Sequence, residues 1–214
     1  MILSRGRRYL FIHAPKTGGT SMALALEARA LKDDIMLGDT PKAKRRRTRL
    51  DGVQAAGRLW KHATLADLDG LVTAQELDDL FIFTMVRNPW DRMVSYYHWL
   101  QDQTFDHPVV ALARDLDFGR FVADPAIAHS FQAAPSASYV TDAQGGMRAS
   151  LFIRLEHLAQ DLAPLEAHLG FALDLPHVNR SVRQQDYRMA YTDDSRTRVA
   201  QMCAADIARF DYAF

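Results

Sequence analysis

Short apolar runs alternate along the chain with segments of helical periodicity. Tyr9 to His13 is an apolar run that ends just before an Ala-Pro pair, and Leu80 to Val86 is apolar over almost its whole length. Leu151 to Leu155 is a third run of this kind. Such runs are typical of buried strands in a parallel sheet. We predict one further, shorter strand at Leu59 to His62.

Helices are predicted after these runs. The first has a cap at Thr20 or Ser21 and continues to about Leu31. Another begins with Pro89 at its first helical position and continues to about Gln101. Further helices are predicted at 64–68, 73–79 with a Thr73–Glu76 capping box, in short pieces within 107–134, at 156–169 with a break at Pro164, and from Thr192 onward.

Strands that alternate with helices predict an α/β fold with a largely parallel sheet. The length of 214 residues suits a single domain over residues 1–214. Hydrophobic residues make up 48% of the chain and charged residues 24%, which is ordinary for a globular protein.

Charge and cysteine content exclude several classes of function. Lys and Arg together number 26 and so do Asp and Glu, so the formal net charge is +0. The chain therefore lacks the overall basic field with which proteins hold nucleic acid. The single cysteine, Cys203, leaves no pair for an internal disulfide and no cysteine-based zinc site. No apolar run is long enough for a signal region or a membrane span, so a cytoplasmic location is the default expectation.

A glycine-rich turn, Lys16 to Ser21, follows the first predicted strand and precedes the first helix. Backbone N–H groups in such a turn, together with the positive end of the helix, form a cradle for phosphate or sulfate. Gly18 and Gly19 permit close approach of an anion, and Thr17, Thr20 and Ser21 add hydroxyl donors. A plain strand–helix turn would explain the glycines but not the lysine and three hydroxyls.

Lys16 stands in a different place from the lysine of a nucleotide triphosphatase P-loop. In that motif the lysine follows the last glycine, whereas Lys16 precedes both glycines. The strongest strand also ends in Val86 and Arg87 rather than in an acidic residue for Mg²⁺. We therefore expect an anion cradle without the metal-dependent phosphoryl-transfer apparatus.

Arg87 is the second candidate anion ligand. It follows the central predicted strand, at the sheet edge where α/β folds bind their ligands. Its guanidinium presents a fork of donors to a phosphate, and Ser95 lies about two helical turns further on. The alternative is that Arg87 forms an ion pair that caps the end of the strand.

Two segments together resemble the sulfotransferase superfamily, whose members use 3′-phosphoadenosine 5′-phosphosulfate (PAPS). Phe11 to Ser21 reads F-I-H-A-P-K-T-G-G-T-S and resembles the 5′-phosphosulfate loop. Phe83 to Tyr97 resembles the 3′-phosphate motif, with matches at Arg87 and Ser95. The two motifs occur in the family's order, and this combination is highly specific.

The likeness is closest to the family-2 carbohydrate sulfotransferases, which include the heparan sulfate 2-O- and 6-O-enzymes and small bacterial members. Lys61 to Leu68 resembles the segment of 6-O-sulfotransferases that carries their catalytic histidine, which corresponds to His62. The ending, Asp206 to Phe214, is similar to that of small bacterial members. The middle of the chain has no counterpart.

The resemblance implies a P-loop-like three-layer α/β domain, a PAPS donor, no metal, and an acceptor hydroxyl on a glycan or glycoconjugate. Lys16 would neutralise charge on the bridging oxygen, and His62 would act as the base. The residues implied to bind the donor are Pro15, Lys16, Thr17, Gly18, Gly19, Thr20, Ser21, Arg87 and Ser95.

Several assignments stay open. Glu27 rivals His62 as the base, because a carboxylate on the helix after the loop serves as base in related enzymes. His13 is expected to be a structural residue beneath the loop. The basic segment Lys42 to Arg49 is either a rim for an anionic acceptor or a solvated, mobile loop. Tyr96, Tyr97 and Trp99 belong either to the core or to an acceptor platform, and Arg154, Asn179, Ser181 and Arg183 are further candidates for the cofactor.

Two other classes of function remain as alternatives. One is a small-molecule kinase with a degenerate P-loop, and the other is a non-catalytic module that binds a nucleotide or an anionic glycan. The sequence does not identify the acceptor or the oligomeric state.

Overall fold

The computed structural model describes residues 1–176 and 186–214. The chain divides into two compact units. The first comprises Met1–Val86 and Ser136–Val178, and the second comprises Arg87–Pro135 and Asn179–Phe214. Only the described residues of each unit are discussed below. Within them, no helix is both long enough and apolar enough to cross a membrane.

The first unit is built on a five-stranded sheet. Its strands are β1 (Ile2–Ser4), β2 (Tyr9–Ile12), β3 (Ile35–Met36), β4 (Phe81–Val86) and β5 (Leu151–Arg154). Its helices are α1 (Gly19–Ala28), α2 (Pro41–Arg46), α3 (Ala74–Asp79), α8 (Leu158–Asp161) and α9 (Ala163–Leu169). Short 3₁₀ turns occur at Arg47–Leu50, Ala66–Leu68, Ser136–Val140 and Leu155–His157.

The strand order is β3-β1-β2-β4-β5, with β2, β4 and β5 parallel to one another. Strand β1 runs antiparallel to both of its neighbours, so the sheet is mixed at one side and parallel at its centre. This arrangement confirms the predicted P-loop-like α/β class with a central, mainly parallel sheet flanked by helices. Because the parallel strands share a direction, the loop after β2 and the end of β5 lie at the same sheet edge.

One face of the sheet forms a hydrophobic core with α1 and α9. Phe11, Phe83 and Ile153 point from the strands into this core. The predicted inner face of α1 is buried as expected, and α9 packs against the same core through Leu165. The strands thus fix where α1 begins, and with it the position of the glycine turn.

The second unit is helical in its described residues. Its helices are α4 (Pro89–Gln101), α5 (Pro108–Asp115), α6 (Phe118–Ala123), α7 (Pro125–Ala133), α10 (Asp193–Met202) and α11 (Ala204–Phe210), with a 3₁₀ turn at Tyr187–Ala190. Pro89 occupies the predicted start of α4, and the short helices within 107–134 are confirmed. Tyr97 belongs to the core of this unit, and its hydroxyl donates to Leu116 O at 2.8 Å.

Three predictions of local structure are wrong. Residues 59–62 form a turn rather than a strand, and Trp60 in that turn is exposed and buries no strand face. Helix α1 starts at Gly19 with Gly18 as its cap, not at Thr20 or Ser21, and it ends at Ala28. The last helix breaks at Cys203, where the backbone leaves the helical conformation.

The basic segment, for which the sequence left an acceptor rim and a solvated loop as alternatives, forms a helix followed by a 3₁₀ turn. Thr40 caps α2 by accepting a hydrogen bond from Ala43 N at 3.1 Å, and Pro41 stands at the first helical position. A 3₁₀ turn continues α2 through Leu50. Local capping chemistry therefore outweighs the mutual repulsion of the cations.

Candidate active site

The glycine turn connects β2 to α1 without room for larger residues. Gly18 has φ of +86°, and a Cβ there would lie 2.9 Å from Leu155 Cδ1. A Cβ on Gly19 would lie 2.2 Å from Cδ2 of His13. Both positions therefore require glycine, the first for its backbone conformation and the second for the close approach of His13.

Two neighbouring residues shape the same turn. Lys16 adopts φ of +64°, a left-handed conformation that costs a non-glycine residue about 1 kcal/mol. Thr17 is buried, and its hydroxyl donates to Ala14 O at 2.8 Å. That bond closes the turn internally, so the Thr17 hydroxyl is engaged within the loop. Strained backbone of this kind is held in place where the surrounding structure over-determines it, and it is common at ligand sites.

The turn leads into the amino end of a ten-residue helix. The N–H group of Ser21 bonds to Gly18 O at 3.1 Å, as at the start of any helix. The amides that precede it have no intrahelical acceptor, because no helical turn lies before them. The helix dipole makes this end of the helix positive. This amino end of α1 therefore suits an anionic group such as a phosphosulfate.

His62 is fixed by one hydrogen bond to the residue that follows β2. Its Nδ1 lies 2.7 Å from the backbone oxygen of His13. A carbonyl oxygen only accepts, so Nδ1 carries the proton of the neutral ring and Nε2 carries the lone pair. The two histidine rings also meet edge to face, with their centroids 4.7 Å apart.

Burial keeps both histidines neutral. It lowers the pKa of His62 to about 4, although the bond to His13 O acts in the opposite direction. Burial, reinforced by repulsion from His62, lowers the pKa of His13 well below its ordinary value. Nearby Lys61 also disfavours a charge on His62, and Lys61 itself pairs with Asp39 at 2.5 Å. His62 therefore has the protonation state of a base at neutral pH.

Glu27, the rival base, lies two turns along α1 and is buried. Its carboxylate accepts a hydrogen bond from the Thr40 hydroxyl at 2.6 Å, and Lys42 donates to its backbone oxygen. Glu27 thus anchors the start of α2 to α1.

The second unit holds Arg87 and Ser95. The guanidinium of Arg87 binds Oδ2 of Asp91 through Nε at 2.8 Å and Nη2 at 2.6 Å. The ion pair that was the alternative for Arg87 is therefore present, and it orients the guanidinium. Ser95 is buried on α4, just over two turns after Arg87. Asp91 was not singled out from the sequence, although its i,i+4 spacing from Arg87 is a readable signal.

The remaining candidates have structural partners. Arg154 binds both carboxylate oxygens of Asp161, at 2.8 and 2.9 Å. Arg46 donates to the backbone of Leu31, so part of the basic segment holds the chain that follows α1. Tyr96, Tyr97 and Trp99 pack with the core of the second unit. Asn179, Ser181 and Arg183 lie outside the described residues.

Comparison with known proteins identifies the family. The model of the sulfotransferase family matches residues 1–213, so the chain belongs to that family. This membership confirms the predicted enzyme class, a PAPS-dependent sulfotransferase. Among solved structures, the chain is similar to mouse sulfotransferase SULT7A1 complexed with PAP, with 16% identity and a TM-score of 0.49, over 98% of this chain and 87% of that one. No curated protein matches the chain.

Proposed function

We propose that this protein transfers the sulfuryl group of PAPS to a hydroxyl of a carbohydrate acceptor, by metal-free in-line transfer. The observation that carries the proposal is that His13 connects the glycine turn to His62. One residue, His13, packs its ring against Gly19 and holds His62 through its carbonyl. The carbohydrate acceptor, and the likeness to small bacterial enzymes of the heparan sulfate type, rest on the sequence resemblance, which extends to residues 61–68 and 206–214.

On the donor side, PAPS supplies an activated sulfuryl group bound to a phosphate that leaves as an anion. The amides at the start of α1 and the hydroxyls of Thr20 and Ser21 would bind that phosphate, with Pro15 shaping the turn. Lys16 would place its ammonium group against the oxygen on which negative charge grows. Arg87, oriented by Asp91, and Ser95 would bind the 3′-phosphate.

On the acceptor side, His62 supplies the base. Nε2 would take the proton of the acceptor hydroxyl while the new S–O bond forms. Burial favours the neutral ring before transfer and disfavours the imidazolium that forms, so the proton must pass onward readily after the reaction. Glu27 is the less suitable base in this proposal, because its carboxylate is bound to Thr40.

Donor selectivity tests this proposal. The desulfated product, 3′-phosphoadenosine 5′-phosphate (PAP), should bind far more tightly than AMP in calorimetry, because Arg87 and Ser95 recognise the additional phosphate. Arg87→Ala should remove most of the preference, at a cost of about 1.5–3 kcal/mol for a hydrogen bond to a charged group. Arg47→Ala, which alters an exposed arginine of the basic segment, is the control. Equal affinity of the wild type for PAP and AMP would contradict the proposal.

A further inference from the structure

Trp60 is an exposed aromatic side chain beside the candidate base. The residue is 40% exposed, although tryptophan is usually well covered in folded proteins. Its ring centroid lies 5.1 Å from that of His62, with the two planes at 86°. His62 contacts the ring of Trp60 and is itself held by the hydrogen bond from its Nδ1 to His13 O. These two contacts fix the position of Trp60 relative to the base. A molecule resting on Trp60 would have its hydroxyls close to His62.

A cation accompanies this ring. The guanidinium carbon of Arg58 lies 5.1 Å from the centroid of Trp60. Arg58 is exposed, and within the described part of the chain it forms no ion pair with a carboxylate. A stacked arginine keeps its N–H groups available at the ring edge, because cation–π attraction uses the face of the guanidinium rather than its donors.

Together the two side chains define the chemistry of a ligand. Trp60 offers a large, rigid apolar surface, which suits the C–H face of a sugar ring. Arg58 offers a forked set of donors, which suits a carboxylate or a sulfate ester. A neutral sugar would use only the first feature, and a small inorganic anion would use only the second. An anionic sugar uses both.

We propose that Trp60 and Arg58 form an acceptor subsite for an anionic sugar and determine acceptor specificity beside His62. Trp60 packs against the sugar ring and presents one of its hydroxyls to His62, while Arg58 binds the negative group on the ring. This inference rests on the proposed function, because it takes His62 as the group that receives the acceptor proton.

A pair of matched sugars tests the subsite directly. Protein labelled with ¹⁵N and saturated with PAP is titrated with methyl β-D-glucuronide and with methyl β-D-glucoside, which differ in the carboxylate. The indole N–H signal of Trp60, identified by its loss in Trp60→Phe, reports binding. The glucuronide should shift this signal at about three- to tenfold lower concentration than the glucoside, the range expected for a partly exposed ion pair.

Variants assign the effect to Arg58. Arg58→Gln should make the two sugars bind equally, whereas Arg120→Gln, at an exposed arginine of α6, should leave the difference intact. Equal binding of both sugars by the wild type overturns the inference. So does a glucuronide that leaves the Trp60 signal unmoved, or a preference that survives Arg58→Gln.

The donor experiment separates this inference from the proposed function. Discrimination between PAP and AMP involves neither Trp60 nor Arg58. If that discrimination holds and the sugars bind equally, the subsite alone is wrong. If the protein does not discriminate between PAP and AMP, the proposed function is wrong whatever the sugars do.

Discussion

The chemistry of His62 depends on one hydrogen bond and on burial. The bond to His13 O decides that Nε2 carries the lone pair, and burial decides that the ring stays neutral until the pH falls to about 4. A histidine with an ordinary pKa would lose its base form near pH 6.5. The acidic limb of a pH–rate profile should therefore lie near pH 4. Ordinary carboxyl groups titrate in the same range, so only a variant of His62 assigns that limb to the histidine.

The first prediction concerns that profile. His62→Ala should keep its affinity for PAP and lose about 10²–10⁴-fold in rate, the usual contribution of a positioned base. In the wild type, kcat/KM should fall as the pH drops through about 4, because His62 becomes protonated there. This limb should vanish in His62→Ala and persist in His129→Ala, which alters an exposed histidine. An active His62→Ala beside an inactive Glu27→Gln would move the base to Glu27.

The second prediction concerns Lys16. Its side chain should act mainly in the transition state, since charge on the bridging oxygen grows only as the sulfuryl group leaves. Lys16→Ala should lower kcat by about 10²–10³-fold and weaken PAP binding much less. Lys16→Gly serves as the matched variant, because glycine adopts φ of +64° without strain. Normal turnover with a raised KM in both variants would assign Lys16 to ground-state binding instead.

Elements with local signals were predictable from the sequence, whereas those formed by distant contacts were not. Strand β4 is apolar except for Thr84, and the capping box of Thr73 and Glu76 places α3 as expected. Strand β1 has only three residues, too few for a pattern, and exists because it pairs with β2 and β3. In the site, the loop and Arg87 followed from motifs, but the His13–His62 bond joins residues 49 positions apart. No local pattern reports such a contact.

The third prediction concerns the start of α1. Gly19→Ala should destabilise the fold by a few kcal/mol and impair PAP binding, because the new methyl group would overlap the His13 ring. Gly119→Ala is a matched control, since Gly119 also lies in the first turn of a helix and has no contact closer than 3.5 Å at its Cβ position. It should be neutral or stabilising by about 1 kcal/mol, as expected for alanine in a helix. Urea unfolding and calorimetry measure both effects, and equal behaviour of the two variants would contradict the packing argument.

For the molecule as a whole, the buried neutral histidines predict how stability changes with pH. His62 and His13 have pKa values below those of an unfolded chain, so the unfolded state binds more protons between pH 6.5 and about 4. Stability should therefore fall as the pH drops from 7 to 5, by up to about 1.4 kcal/mol per pH unit for each histidine that stays neutral. Carboxylates with lowered pKa, such as Asp39 and Asp161, change the pH dependence of stability mainly below this pH range. In urea unfolding, His62→Asn should lose less stability than the wild type between pH 7 and pH 5, and His129→Asn should lose as much as the wild type. An identical loss in all three proteins would mean that His62 is not held neutral by the fold.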